Sequence, residues 1–468
     1  MGRTLQSLKE SILSSSNFFS SLYNNLSFFA FGVWNLVYGM EEALYRHRRN
    51  YYGPESLLQM ESSLSLSLQL QRMGIPSLFA SVSLLILCII FSEGLVTVQA
   101  FTGTYGINYG RLADNIPPPE SVVTLLKAAK LKNVRIYDAD PSVLQAFKGS
   151  GLELVVTIPN EILKDMSVSE DRAMSWVKEN VQAFLPDTHI RGISIGNEIL
   201  GLTDLEIQES LVGAVKNVYK AVDRLQLKDL VEVSTPHSQA VFANSFPPSS
   251  CTFNDNIIQY MKPLLEFFSQ TGAPFYINVY PFLAYSNDPK NIDINYALFQ
   301  SNPGIHDAKT NLHYDNMFDA QIDAAYAALE AAGFEKMEVR VSETGWASKG
   351  DDEEAGATVH NARTYNYNLR KRLAKRKGTP LRPKIVVKAY VFALFNENSK
   401  PGKTSERNFG LFKADGSIAY DIGFTGLKPS AASASLFSLK DIRARGWAGA
   451  LGPYSITLTM CAAVLFLV

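Results

Sequence analysis

Cysteine is scarce in this chain. There are three, Cys88, Cys251 and Cys461, and the first and last fall inside apolar runs near the ends. If those runs are removed in processing, Cys251 stands alone and is expected to be a buried, inert thiol. No internal disulfide then staples the remainder, so its stability must come from a packed core. An excess of either charge is also missing: the formal net charge is -1 over 468 residues, with 46% hydrophobic residues. That is ordinary globular composition, and it gives no electrostatic reason to expect nucleic acid as a partner. Glycine-rich phosphate loops, His-Glu-x-x-His, paired cysteines and solenoid repeats are absent too, so neither a cofactor nor a metal is expected.

The ends read as addresses. Leu78 to Phe91 is an apolar run preceded by Arg72-Met73 and followed by Val98-Gln99-Ala100, which resembles a secretory signal with a small-x-small cleavage site. Such a signal opens a chain, so translation from Met73 is expected. This makes 1–72 an upstream extension, 73–100 the signal and Phe101 the start of the mature protein. At the other end, Ala431 to Ser435 supply small residues, Lys440 to Arg445 a basic spacer, and Tyr454 to Val468 an uncharged apolar tail. That order resembles a glycolipid-anchor (GPI) signal, with a linker at 426–450 and the tail at 451–468. A secreted monomer held at the outer face of the plasma membrane or in the cell wall is the resulting expectation.

Between the ends, over 101–425, strand and helix alternate. Eight short apolar or β-branched runs are predicted as strands: Tyr105 to Tyr109, Val134 to Asp138, Leu152 to Ile158, Gly192 to Asn197, Val231 to Thr235, Phe275 to Tyr280, Met337 to Ser342 and Ile385 to Phe395. Helical stripes fill the gaps: Ala173, Trp176, Val177, Val181 and Phe184; Leu211, Val215, Val218, Val222 and Leu225; Phe318, Ile322, Ala325 and Leu329. Ser167 with Glu170 is a capping-box candidate and Gly333 a left-handed stop. The basic run Arg370 to Lys377 closes a helix and is expected to be a solvated face. Eight strands with intervening helices predict an α/β fold of the (β/α)8 TIM-barrel kind, over an open doubly wound sheet with the same local pattern.

Two of the predicted strands end in a glutamate: Ser194-Ile195-Gly196-Asn197-Glu198 and Val339-Arg340-Val341-Ser342-Glu343. In a parallel barrel the C-terminal strand ends converge on one pocket. A pair of carboxylates there suits glycosidic bond cleavage, one protonating the departing oxygen and the other meeting the anomeric carbon. Glu198 as the acid needs a raised pKa, whereas Glu343 must stay ionised among donors such as Asn197 and nearby tyrosines. Each glutamate alone could equally be a structural carboxylate tied to a loop. Aromatic side chains suit sugar faces, and Tyr137, Tyr280, Phe282, Tyr285, Phe395 and Phe412 are available, Tyr280 and Phe395 foremost because they lie at strand ends.

The residues also carry a resemblance. Gly106-Ile107-Asn108-Tyr109-Gly110-Arg111-Leu112-Ala113-Asp114-Asn115, Val134 to Asp140, Ile193 to Leu200, Asn278-Val279-Tyr280-Pro281-Phe282, Val341 to Trp346, and Phe395 to Lys400 through Glu406 to Phe412 resemble glycoside hydrolase family 17, the plant-type endo-β-1,3-glucanases. The resemblance spans about Thr104 to Tyr420 and implies a retaining glucanase, with Glu198 as proton donor and Glu343 as nucleophile. It further implies substrate contacts at Tyr137, Asn197, Tyr280, Phe395, Glu397, Lys400 and Glu406, the last three as a charged cluster that can also be read as a loop-fixing ion network. The substrate implied is a β-1,3-glucan such as callose, and no cysteines are at hand between Cys251 and Cys461 for the glucan-binding module that some members carry. A retaining enzyme is expected to hold its carboxyl groups about 5 to 5.5 Å apart. Transglycosylation would use the same two glutamates, and a surface-anchored glucan-binding protein is the non-catalytic alternative.

Overall fold

The β-branched and aliphatic runs become strands because each is covered on both faces, so the alternation of an exposed sheet is missing. The computed structural model of the chain describes residues 101 and 103–427. The expected extension and signal, and nearly all of the expected linker and tail, lie outside those residues. Among the described residues, those of Phe101–Ala221 and of 233–427 form one compact unit, which holds the site described below. The intervening Val222–Glu232 finishes a helix and turns, with the Gln226 N–H donating to the Asp223 carbonyl at 2.9 Å.

Nine strands make the main sheet: β1 Tyr105–Tyr109, β2 Asn133–Ile136, β3 Glu153–Ile158, β4 His189–Ile195, β5 Glu232–Ser234, β6 Pro236–His237, β7 Phe275–Asn278, β8 Val339–Thr344 and β9 Ala389–Val391. Their order is β5-β4-β3-β2-β1-β9-β8-β7-β6. Only Thr235 separates β5 from β6, so the two edges of the sheet are one stretch of chain. The sheet is therefore a closed parallel barrel, and β5 and β6 together are its fifth stave. Ile107 shows the register, flanked by Val134 on one side and Val391 on the other.

The helical stripes pack only in part as their spacing predicts: Trp176, Phe184 and Leu225 are half-buried, and the last two lie beyond the ends of their helices. Helix α1, Glu170–Asn180, buries Ala173 and Val177. Helix α2, Leu205–Arg224, buries Leu211, Val215, Val218 and Val222, and α3, Met317–Ala331, buries Phe318, Ile322, Ala325 and Leu329. Each buried valine, leucine, isoleucine or phenylalanine among them contributes about 1.5 to 3 kcal/mol on leaving water, and each alanine methyl about 0.8. Gly333, just past α3, has φ +90, a conformation open chiefly to glycine.

Local details differ from expectation. The cap of α1 is Ser169, whose hydroxyl accepts from the Arg172 N–H at 3.2 Å, because Ser167 is taken up by a preceding helix, Leu163–Val168. The basic run closes α4, Val359–Ala374, but it is not wholly a solvated face. Arg370 donates to the Ile422 carbonyl at 2.7 Å and lies over the Phe424 ring, while Arg372 reaches Asp319 and the Gly378 carbonyl. Two antiparallel ribbons, Phe242–Asn244 with Thr252–Phe253 and Ile305–Asp307 with Leu312–Tyr314, elaborate the segments that follow β6 and β7. Cys251 is a buried free thiol, pushed up to about 12 by burial. Among the described residues no helix is long and apolar enough to cross a membrane.

Candidate active site

Glu198 sits on a tight turn beyond β4. Gly196 and Glu198 both have positive φ, +63 and +58, and in a non-glycine residue that conformation costs about 1 to 3 kcal/mol. Surrounding contacts hold it there. The Asn197 N–H donates to Asn160 Oδ1 at 2.8 Å, Asn160 Nδ2 donates back to the Asn197 carbonyl at 3.2 Å, and the Glu198 N–H donates to the Pro236 carbonyl at 3.0 Å. The side chain is then met from β7, where Asn278 Nδ2 donates to Glu198 Oε1 at 2.7 Å. Ser342 Oγ donates to Asn278 Oδ1 at 2.6 Å and so fixes which end of that amide faces the glutamate.

Glu343 lies inside β8 and is 6% exposed. The strand is irregular there, its register against β7 shifting between Val341 and Glu343, as strands do where a side chain is re-aimed into a site. Three donors converge on the carboxylate. Arg135 Nη1 reaches Oε1 at 2.9 Å, the Tyr137 hydroxyl reaches Oε1 at 2.8 Å, and the Tyr280 hydroxyl reaches Oε2 at 2.9 Å. Arg135 also donates through Nη2 to Asn197 Oδ1 at 2.9 Å, so one guanidinium ties the two glutamate-bearing segments together. Burial and then the Glu343 charge push both phenols well above the ordinary tyrosine range. They remain donors at any physiological pH, which suits an anion between them.

The two carboxyl groups live in different surroundings. Glu198 is pushed up to about 7, first by burial and second by the Glu343 charge, against the pull of Asn278, Arg135 and Lys400. A carboxyl that keeps its proton near neutrality beside one clamped by three donors is the division that acid catalysis with nucleophilic attack requires.

Both glutamates line one open cavity of about 730 Å³. The barrel brings eight of the nine sequence-predicted site residues to it: Glu198, Glu343, Tyr137, Asn197, Tyr280, Glu397, Lys400 and Glu406. Phe395 is the correction. It is fully buried, with Tyr109 and Phe412 as ring neighbours at 6.0 and 6.4 Å, and it does not line the cavity. The last strand ends at Val391, four residues short of the predicted end, so Phe395 is not at the strand end where it is expected. Phe392 and Phe409 supply the aromatic wall instead. Of the other aromatics offered, Phe282 and Phe412 are buried, and Tyr285 packs near Trp346. Asn197 does not donate to Glu343; its Oδ1 accepts from Arg135.

In the charged cluster, Lys400 pairs with Glu406 at 2.9 Å and lies 4.6 Å from the Phe392 ring centre. Burial, the largest influence on the amine, opposes its charge, but Glu406, Glu397 and Glu343 outweigh it and lift its pKa. Glu397 is raised, chiefly by burial, although Lys400 and the Leu112 N–H at 3.1 Å oppose the rise. Sequence reasoning missed Arg135, Asn278, Phe392 and Phe409. A buried arginine between Val134 and Ile136 in an apolar strand was the available signal, since such a charge must have a partner. Among the described residues no group of three or more His, Cys, Asp or Glu is arranged to hold a metal ion.

Comparison with known proteins places this geometry in context. The family model for glycosyl hydrolases family 17 matches residues 105–424. Glucan endo-1,3-beta-glucosidase 11 of Arabidopsis thaliana is 47% identical over 340 residues, which is 72% of this chain and 80% of that protein. Glucan endo-1,3-beta-D-glucosidase of Olea europaea is 42% identical over 318 residues, 68% of this chain and 69% of that protein. Among solved structures, CJP38, a beta-1,3-glucanase and allergen of Cryptomeria japonica pollen, superposes with a TM-score of 0.66 at 38% identity, covering 69% of this chain and 99% of its own.

Proposed function

The chain belongs to the glycosyl hydrolases of family 17, and from that premise we propose that it hydrolyses internal β-1,3-glucosidic bonds with retention of configuration, using Glu198 as proton donor and Glu343 as nucleophile. The observation that carries the reading is the contrast between the two glutamates: a half-buried acid pushed up to about 7 across one cavity from a carboxylate gripped by Arg135, Tyr137 and Tyr280.

In the first step Glu343 attacks the anomeric carbon while Glu198 gives its proton to the departing glycosidic oxygen. A carbon–oxygen bond to Glu343 forms as the glucosidic bond breaks. In the second step Glu198, now ionised, takes a proton from water as the water oxygen attacks the same carbon. The bond to Glu343 breaks, and both side chains return to their starting states. Arg135, Tyr137 and Tyr280 aim the nucleophile and take up the charge that returns to it. Tyr280, Phe392 and Phe409 offer faces for the sugar, and Glu397, Lys400 and Glu406 offer polar partners for its hydroxyls.

We also infer secretion and attachment to the outer membrane face by a glycolipid, on the strength of the apolar runs at Leu78 to Phe91 and Tyr454 to Val468 with their flanks. Release of the protein from membranes by a phosphatidylinositol-specific phospholipase checks the anchor. The activity is tested by digesting linear β-1,3-glucan with the wild type and with Glu343→Gln. Shortening to oligosaccharides whose new ends are first β-configured, with a loss of at least about a thousandfold in the variant, is expected. Unchanged release of reducing sugar by Glu343→Gln removes the nucleophile assignment, and α-configured first products remove retention.

A further inference from the structure

A second cavity, of about 560 Å³, lies outside the catalytic one and is built from the segments that follow β6 and β7 together with α3. The short helix Pro281–Asn287 stands between the two: Leu283 lines the catalytic cavity and its neighbour Ala284 lines the second. Its walls are mostly apolar. Pro248, Ile292, Pro303 and Met317 contribute to them, and Phe246 stands at the edge with 65% of its surface in solvent. The open phenyl ring beside this concave apolar wall enlarges the surface on which a partner could pack.

The polar groups narrow the partner's chemistry. Asp288 and Asn291 stand at the cavity, the amide of Gln321 lines it, and no basic side chain does. Anionic ligands are therefore disfavoured. The Gln321 Oε1 atom is buried and has no hydrogen-bond partner among the described residues. The Asp288 carboxylate is met by Asn291 Nδ2 at 2.9 and 3.1 Å, but a hydrocarbon would leave the Gln321 amide oxygen without a partner at a cost in desolvation. A neutral ligand with apolar faces and hydroxylated edges satisfies every wall, and a pyranose ring is such a ligand.

We propose that this cavity is a second β-glucan-binding site, which holds one stretch of the polymer while another lies across Glu198 and Glu343. The identity of the polymer rests on the activity proposed above; the stacking chemistry at Phe246 does not. Shared use of helix Pro281–Asn287 places the two sites side by side, and linking two weak sites on one polymer raises the effective concentration of substrate at the catalytic pair.

The test uses the full chain carrying Glu343→Gln, so that glucan is bound and not consumed, and measures its retention on insoluble linear β-1,3-glucan across a range of glucan loadings. Adding Phe246→Ala is expected to weaken retention about tenfold, and Phe246→Tyr to restore it, because a phenol stacks as a phenyl does. Gln321→Leu, on a separate element, is expected to weaken it about three- to fivefold through loss of one hydrogen bond. Retention by Phe246→Ala and Gln321→Leu equal to that of the parent overturns the proposal. Failure of the wild type to cleave the glucan removes the proposed activity, yet a Phe246-dependent loss of retention would still support the second site.

Discussion

Arg135 and Glu343 form an ion pair at 2.9 Å with side chains only 2% and 8% exposed. Breaking a buried pair from one side strands the other charge, at a cost of about 3 to 5 kcal/mol. Arg135→Ala is expected to lower thermal stability and to reduce kcat by at least about a hundredfold. Arg135→Lys keeps a cation but not the fork that spans Glu343 and Asn197, so it is expected to recover stability better than rate. Calorimetry alongside glucan hydrolysis separates the two effects, and an active Arg135→Ala enzyme contradicts the clamp.

The pH profile follows from Glu198. In the proposed mechanism Glu198 must hold its proton, so kcat/KM is expected to fall as pH rises through about 7. Asn278 donates to Glu198 Oε1 and favours the ionised form. Asn278→Ala therefore raises the acid's pKa further and moves the basic limb to higher pH, while Glu198→Gln removes the limb. The same shift has a stability counterpart. A carboxyl raised from 4.5 to about 7 on folding contributes stability that is complete below 4.5 and lost as pH rises through 7. Glu198→Gln should thus raise the melting temperature more at pH 8 than at pH 4.

His237 supplies an acid sensitivity of another origin. It is fully buried in β6, stacked 5.0 Å from Phe275, and neither ring nitrogen has a hydrogen-bond partner among the described residues. Burial lowers it from 6.5 to about 3. Between those values the unfolded chain binds a proton that the folded one refuses, so stability falls as pH drops from 6.5 towards 3, at up to about 1.4 kcal/mol per pH unit. His237→Phe is expected to flatten that slope in urea titrations. An unchanged slope shows that carboxylates alone set it.

Gly345 follows β8 directly, and a Cβ there would lie 2.0 Å from the Phe392 carbonyl oxygen and 3.3 Å from Phe409. Both phenylalanines line the catalytic cavity. Gly345→Ala is expected to destabilise by about 1 to 3 kcal/mol and to lower kcat/KM together with stability. Wild-type melting with wild-type rate would show that the wall yields without effect.

The strand segments and the two glutamates were legible because they depend on local pattern: apolar runs covered on both faces, and a carboxylate at or near the end of such a run; closure into a barrel was not, since an open doubly wound sheet shares that pattern. What was not legible depends on partners far away in sequence. Arg135 lies 208 positions from Glu343, and Asn278 lies 80 from Glu198; nothing beside either residue announces the contact. The exchange of Phe395 for Phe392 has a different cause. The ladder stops at Val391, so the predicted strand end at Phe395 lies past the real one, and the ring nearest the true end, Phe392, lines the cavity instead. Arg370 and Arg372 looked solvated because a helix-end charge run reveals nothing of the carbonyls and carboxylate that receive it.

The seam at Thr235 has a consequence for how the molecule fails. The Thr235 hydroxyl donates to the Ile195 carbonyl at 2.7 Å, and the next residue's carbonyl accepts the Glu198 N–H at 3.0 Å. The fifth stave thus also holds the backbone of Glu198 in place. Heat or denaturant that first springs this joint would silence turnover while most helices still stand, so inactivation should precede the loss of circular dichroism on warming.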